Sequence, residues 1–131
     1  MKQSVLLTIA SVLSVFLFTV HLADDIVRGF EPGTPSNLMA VPICVTWLYG
    51  TLVLAGRRSG YVIVLLASLL GAGVPVIHFR AAAGVAGGAI AQSSGALLWV
   101  WTLLALGVSA VFSLILAAQG LWRLQRGRSP N

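Results

Sequence analysis

Four apolar stretches that contain no Asp, Glu, Lys or Arg constrain this chain more than any other feature. They cover residues 4–22, 38–56, 60–79 and 95–121. A helix needs roughly 20 apolar residues to cross a hydrocarbon core about 30 Å thick, and each backbone amide in that core must be paired within its own segment. The sequence therefore predicts an all-α integral membrane four-helix bundle, with residues 1–131 forming a single membrane domain.

The composition excludes the usual classes of water-soluble protein. Hydrophobic residues make up 58% of the chain and charged residues 8%, whereas a soluble domain carries roughly 25% charged residues. The net charge of +5 comes from basic residues scattered beside apolar runs, so it does not indicate a nucleic-acid partner. The expected partner of the outer surface is the lipid bilayer. The single cysteine, Cys44, excludes an intramolecular disulfide and a multi-cysteine metal site.

The distribution of basic residues predicts the orientation of the spans. If there are four spans, six of the eight Lys and Arg residues fall on one side. They are Lys2, Arg57, Arg58, Arg123, Arg126 and Arg128. Since basic residues are enriched in cytoplasmic loops, both termini are expected in the cytoplasm. The preference for Arg over Lys and the abundance of Ala, Gly and Val are typical of a GC-rich bacterial genome, so the expected location is a bacterial cytoplasmic membrane.

Two segments allow a second interpretation. The first span resembles a signal peptide, but it is long for the apolar region of one, and His21-Leu22 makes a poor cleavage site before Ala23. We therefore expect this span to be retained. Residues 81–95 are uncharged but rich in Ala and Gly, which gives weak helix propensity and little transfer energy. They predict a flexible outer loop or a partly re-entrant segment rather than a fifth span.

Small residues recur at a spacing of four in the third and fourth spans. They are Ala67, Gly71, Ala105, Ser109, Ser113 and Ala117. Stripes of this kind allow membrane helices to approach closely. One interpretation is an interface with a second copy or with another membrane protein; the favoured interpretation is packing within one four-helix bundle.

Three further residues mark the outer parts of the spans. Pro42 and Pro75 predict kinks in the second and third spans, because each removes an intrahelical hydrogen bond. Trp99, near the start of the fourth span, is predicted as an aromatic anchor at the outer membrane border.

The acids and histidines all fall on the predicted outer side. The three acids, Asp24, Asp25 and Glu31, lie in the first outer loop, and His21 and His78 lie at the outer ends of the first and third spans. Two imidazoles and a carboxylate suit a divalent transition metal such as zinc or copper, and histidine also binds protons near neutral pH. The candidate metal ligands are His21, Asp24, Asp25 and His78.

The spacing of the candidate ligands leaves two interpretations open. His21 and Asp25 are four residues apart, so they share a helix face if the first helix continues that far. In the alternative interpretation the histidines lie at the level of the lipid headgroups, and Asp25 pairs locally with Arg28.

The sequence contains no motif that identifies a catalytic chemistry. HExxH, CxxC, GxSxG, Walker-type and dinucleotide-binding patterns are all absent from it. The sequence therefore favours a non-enzymatic protein that acts by association, as an accessory or scaffold subunit. The alternative is a protein that binds or transports a cation, protons or a small ligand through the outer His/Asp cluster. A membrane enzyme that uses this cluster is the third interpretation.

Overall fold

The computed structural model describes residues 3–80 and 94–127, except for the side chain of Arg80. The elements are α1 (Gln3–Val27), a 3-10 helix (Pro35–Met39), α2 (Ala40–Leu48), a π-helix (Tyr49–Val53), α3 (Arg58–Arg80) and α4 (Ala96–Gln125). When α2 is counted with its two flanking segments, four helices are long and apolar enough to cross a membrane. Over the described residues, the all-α class and the presence of four helices of spanning length are thus confirmed. The predicted loop or re-entrant segment lies outside the described residues, apart from its last two positions.

The helices form an antiparallel bundle. α4 packs extensively against α1 and α3, whereas α2 contacts α1 and α3 from the opposite side of the bundle. The carboxyl ends of α1 and α3 therefore meet the amino end of α4. We call this the histidine end, because it carries His21 and His78. The opposite end, which we call the arginine end, carries Arg57, Arg58, Arg123 and Arg126.

The second predicted span is not one uninterrupted α-helix. Its polypeptide passes from 3-10 helix to α-helix to π-helix, and Pro42 lies in the first turn of α2, where the α-helical hydrogen-bond pattern begins. On the inner face, Trp47 Nε1 donates to Ser11 Oγ at 2.8 Å. Thr51 Oγ1 lies 2.7 Å from the same hydroxyl and donates to the carbonyl oxygen of Trp47. These hydrogen bonds hold the second span against α1.

The stripe of small residues makes contacts inside the chain. Ser14 Oγ donates to Ser109 Oγ, and Ser68 Oγ donates to Ser113 Oγ, each at 3.0 Å. The other members are Ala67, Gly71 and Ala117, which are buried, and Ala105, which is half-buried. Hydrogen bonds of this kind between membrane helices contribute about 0.6 kcal/mol each on average. The serines of the stripe therefore join α1, α3 and α4 to one another.

Glycines permit the closest approaches between helices. A Cβ atom at Gly60 would overlap the carbonyl oxygen of Leu54, and one at Gly107 would lie 2.8 Å from Cγ of Pro75. α3 continues as a helix through Pro75, and the proline ring packs against the backbone of α4 at Gly107. The Gly60 contact allows the tight turn between the second span and α3.

Candidate metal centre at the histidine end

The carboxyl end of α1 supplies two buried side chains. α1 continues to Val27, past the predicted end of the first span at Leu22, so His21 and Asp25 lie one turn apart on the same face. Their exposed fractions are 2% and 3%, and His21 Nε2 lies 3.6 Å from Asp25 Oδ2. A carboxylate this well buried requires compensating partners.

α3 brings the second histidine to the same carboxylate oxygen. His78 Nε2 lies 3.3 Å from Asp25 Oδ2, and the two imidazole rings pack edge to face with their centroids 5.0 Å apart. The donor atoms of His21, Asp25 and His78 all lie within 4.8 Å of one another. The side chain of His78 is 27% exposed, against 3% and 5% for the other two, so His78 forms the accessible side of the cluster.

α4 contributes a tryptophan that the sequence analysis placed elsewhere. Trp99 is fully buried, and its Nε1 donates to Asp25 Oδ1 at 2.5 Å. The prediction of a border anchor is wrong: Trp99 does lie at the predicted end of the bundle, but inside it. Its ring centroid is 5.0 Å from that of His21 and 5.5 Å from that of His78. One argument from the sequence could have identified Trp99. A buried carboxylate such as that of Asp25 needs an N–H donor, and the indole of Trp99 offers one at the same end of the predicted bundle.

The hydrogen bonds around the histidines assign the protonated nitrogen of each neutral ring. His78 Nδ1 lies 2.9 Å from the carbonyl oxygen of Val74. A carbonyl only accepts, so Nδ1 carries the hydrogen. His21 Nδ1 lies 3.3 Å from Thr102 Oγ1, whose hydroxyl donates to the carbonyl of Trp99. Thr102 therefore accepts from His21 Nδ1. In both neutral rings the lone pair is on Nε2, the nitrogen that faces Asp25.

When both rings are neutral, the three facing atoms carry no hydrogen of their own, and His21 Nε2 is buried without a hydrogen-bond partner among the described residues. When His78 is protonated, its Nε2 donates to Asp25 Oδ2 across 3.3 Å. Lone pairs facing a carboxylate repel it, so either a proton on His78 or a cation between the three groups stabilises this arrangement. Thr102 was missed by the sequence analysis, because a lone threonine in an apolar span carries no signal of a role beside a histidine.

Asp24, the fourth candidate ligand, lies outside this cluster. Its Oδ2 accepts from Arg28 Nε at 2.8 Å, so Arg28 pairs with Asp24 and not with Asp25. The Arg28 guanidinium also donates to the carbonyl oxygens of Ser94 and Gly95, which links the end of α1 to the start of α4. Asp24 therefore acts in holding α1 to α4, at the level of the cluster but about 100° around α1 from Asp25.

The loop after α1 folds back over the site. The backbone N–H groups of Phe30 and Glu31 donate to the carbonyl oxygen of Asp25 at 2.9 and 3.2 Å, and Phe30 packs against Trp99 and Leu103. This loop closes one side of the cluster and leaves the His78 side accessible.

The donor set and two of the three donor separations suit a transition-metal site, while the three donor atoms together lie within 4.8 Å of one another. Zinc binds nitrogen and oxygen at about 2.0–2.2 Å, so two ligands of a tetrahedral ion lie roughly 3.3 Å apart. The separations of the two imidazole nitrogens from Asp25 Oδ2 are 3.3 and 3.6 Å. Ligating histidines characteristically donate their other N–H to a carbonyl or a similar acceptor, as His21 and His78 do here.

Comparisons with protein families, with curated proteins and with solved structures give no match for this chain.

Proposed function

We propose that this chain is a multi-pass membrane protein that binds a divalent first-row transition-metal ion through His21, Asp25 and His78. One observation carries the proposal: potential ligand atoms of two imidazoles and a carboxylate converge at the histidine end, and each imidazole makes a hydrogen bond through its Nδ1. Asp24, which the sequence also suggested as a ligand, is not part of the proposed site.

The outer surface of the bundle supports insertion in a bilayer. Large apolar side chains in the middle of the helices face outward, with exposed fractions of 61% for Phe16, 62% for Leu70 and 72% for Val108. In water such a surface would be strongly unfavourable. With the arginine end in the cytoplasm, as the basic residues predict, both termini are cytoplasmic and the proposed metal site faces the outside of a bacterial cytoplasmic membrane.

The ligand set favours a particular class of ion. Two nitrogens and one oxygen without sulfur suit Zn²⁺, Co²⁺, Ni²⁺ or Cu²⁺ better than the softer Cu⁺. Cys44, the one thiol, is not a member of the cluster. Three protein ligands leave a coordination position open, unlike the closed four-ligand sites that serve structure alone. This favours a site that exchanges its ion or binds a further ligand through the accessible side of His78.

Proton binding is the second candidate, and one contact favours it. A hydrogen on His78 Nε2 would be shared with Asp25 Oδ2 across the 3.3 Å separation, so the cluster can hold a proton where a metal is lacking. The accessory or scaffold role stays a prediction. The serines of the stripe on which it partly rested are hydrogen-bonded within the chain.

A cobalt titration of the purified protein in lipid nanodiscs tests the metal proposal. Bound Co²⁺ reports its ligand geometry by visible absorption, and competition with Zn²⁺ gives the zinc affinity. Wild type is expected to bind one equivalent. Asp25→Asn is expected to weaken binding at least about 100-fold, beyond the 10–100-fold typical of outer-shell changes. An asparagine in this position keeps a carbonyl oxygen for Trp99 Nε1 and places an NH₂ group where the metal ligand was.

Asp24→Asn is the matched control, since it removes the neighbouring carboxylate, which pairs with Arg28 instead. It is expected to keep wild-type affinity. Equal binding by wild type and Asp25→Asn, or no binding by wild type, would refute the metal site. Proton uptake that responds to His78→Ala without metal binding would then favour the second candidate.

A further inference from the structure

The arginine end carries positive charge without any acid to balance it. Arg57, Arg58, Arg123 and Arg126 are all exposed there. The chain has only three acids, Asp24, Asp25 and Glu31, and all of them lie at or beyond the histidine end, about 30 Å away along the helices. Among the described residues, the arginines of this end therefore have no Asp or Glu side chain with which to pair.

Helix packing brings two of these arginines to one level. The ring of Tyr61 lies directly against Gly120 of α4, so these two residues are level. Arg123 follows Gly120 by three residues, about 4.5 Å, and Arg57 precedes Tyr61 by four, about 6 Å. The backbone N–H of Tyr61 donates to the carbonyl oxygen of Arg57 at 3.1 Å. Arg57, which directly precedes α3, and Arg123 of α4 thus flank the α3–α4 contact; the axes of packed helices are about 8–10 Å apart.

Arg126 lies farther from the α3 contact than Arg123. It is six residues beyond Gly120, roughly 120° from the face that meets α3, whereas Arg123 is roughly 60° from that face. The Arg126 guanidinium stacks on the Trp122 ring at 3.9 Å from the centroid. Arg126 is therefore engaged with Trp122, although it has the same charge as Arg123 and lies at the same end.

Exposed apolar side chains lie at the same end of the bundle. Val53 and Val62 are 60% and 38% exposed; Val53 ends the second span, and Val62 is four residues beyond the start of α3. A ligand that fits here has an anionic group for the guanidinium groups and hydrocarbon for the neighbouring surface. A phospholipid with net negative charge has both features, and a free phosphate ion lacks the second.

We propose that Arg57 and Arg123 bind the phosphodiester of an anionic phospholipid, such as phosphatidylglycerol, between the start of α3 and the end of α4. Guanidinium groups bind phosphate oxygens with paired N–H donors. A zwitterionic headgroup supplies no net charge to balance the arginines, so the site selects anionic lipid. The inference rests on membrane insertion of the bundle, but it does not depend on the metal site.

Lipid retention measured by native mass spectrometry tests this site. The protein is released from nanodiscs that contain equal amounts of phosphatidylglycerol and phosphatidylcholine, and the bound lipids are counted with no metal added. Wild type is expected to retain phosphatidylglycerol in several-fold excess. Arg57→Gln and Arg123→Gln are each expected to lose more than half of that excess. Arg126→Gln, with the same change of charge on the same helix, is expected to retain it.

Two outcomes would overturn the proposal. One is equal retention of the two lipids by wild type. The other is an equal loss in Arg123→Gln and Arg126→Gln, which would indicate diffuse attraction of anionic lipid to this end. Unchanged circular dichroism and detergent stability of each variant show that a loss of lipid does not reflect unfolding.

Discussion

Asp25 is the one acid that is buried among the described residues, and its surroundings explain how the bundle tolerates it. Oδ1 accepts from Trp99, while Oδ2 faces the two imidazoles. A buried carboxylate without partners would cost several kcal/mol. In this structure Oδ1 is satisfied by the neutral N–H donor of Trp99, and Oδ2 is available to a cation.

Removing the tryptophan donor tests this account of the carboxylate. Trp99→Phe keeps an aromatic ring but leaves Asp25 Oδ1 buried without its donor, so we expect the free energy of unfolding to fall by about 1–3 kcal/mol. Denaturant unfolding in detergent measures the change. Trp101→Phe is the matched control, because Trp101 is 66% exposed on the same helix; it is expected to change stability by less than about 0.5 kcal/mol. Equal effects of the two substitutions would contradict the assigned role of Trp99.

The sequence predicted some members of this cluster and missed others for a physical reason. The spacing of His21 and Asp25 places them on one face as soon as the helix is known to reach Val27. His78 follows from the antiparallel arrangement of the spans. Trp99 and Thr102 depend on which residues of α1 and α3 the inner face of α4 meets, and the spacing of residues within α4 does not give those partners.

For the second span, too, the sequence predicts part of the structure and misses another part, the type of helix. Hydropathy predicts a crossing segment, but it does not distinguish α-helix from 3-10 or π-helix, because it measures apolar content and not the number of residues per turn. The departures from α-helix occur near Pro42 and around Gly50. The close contact of Gly60 with Leu54 then fixes the turn into α3. Local backbone chemistry, rather than apolar content, determines the form of this segment.

Two glycines of α3 give opposite expectations for the same substitution. Gly60→Ala would place a methyl group against the carbonyl oxygen of Leu54, a backbone atom that cannot move aside cheaply, so we expect destabilisation by about 1–3 kcal/mol. Gly73→Ala meets no atom within 4 Å and should stabilise the helix by up to about 1 kcal/mol. Thermal unfolding of both variants in the same detergent measures the difference. A harmless Gly60→Ala would show that the turn does not require glycine.

At the scale of the whole molecule, the proposed metal centre connects three of the four helices. His21 and Asp25 belong to α1, His78 to α3, and Trp99 and Thr102 to α4. The serine pairs join the same three helices nearer the middle of the bundle. The second span is attached mainly through Trp47, Thr51 and its close packing on α3. An ion bound at the centre would therefore act on the packing of α1, α3 and α4 together.

Metal binding is accordingly expected to stabilise the entire bundle. An ion that binds only the folded state at 100 times its Kd adds about 2.7 kcal/mol, so Zn²⁺ should raise the unfolding temperature of wild type. A chelator should reverse the rise. Asp25→Asn should show no rise, whereas Asp24→Asn should behave as wild type. A similar rise in Asp25→Asn would place the responsible ion elsewhere on the protein.

The sharing of one carboxylate by distant parts of the chain has a consequence for biogenesis. In a bilayer, a nascent chain that inserted α3 with reversed polarity would carry His78 to the opposite leaflet, and Asp25 would remain in α1 with half of its surroundings missing. Asp25 would then keep His21 of its own helix but lack the imidazole that α3 supplies. A buried carboxylate in a membrane segment is costly without its partners, so the pairing of Asp25 with His78 favours the insertion of α3 in one direction.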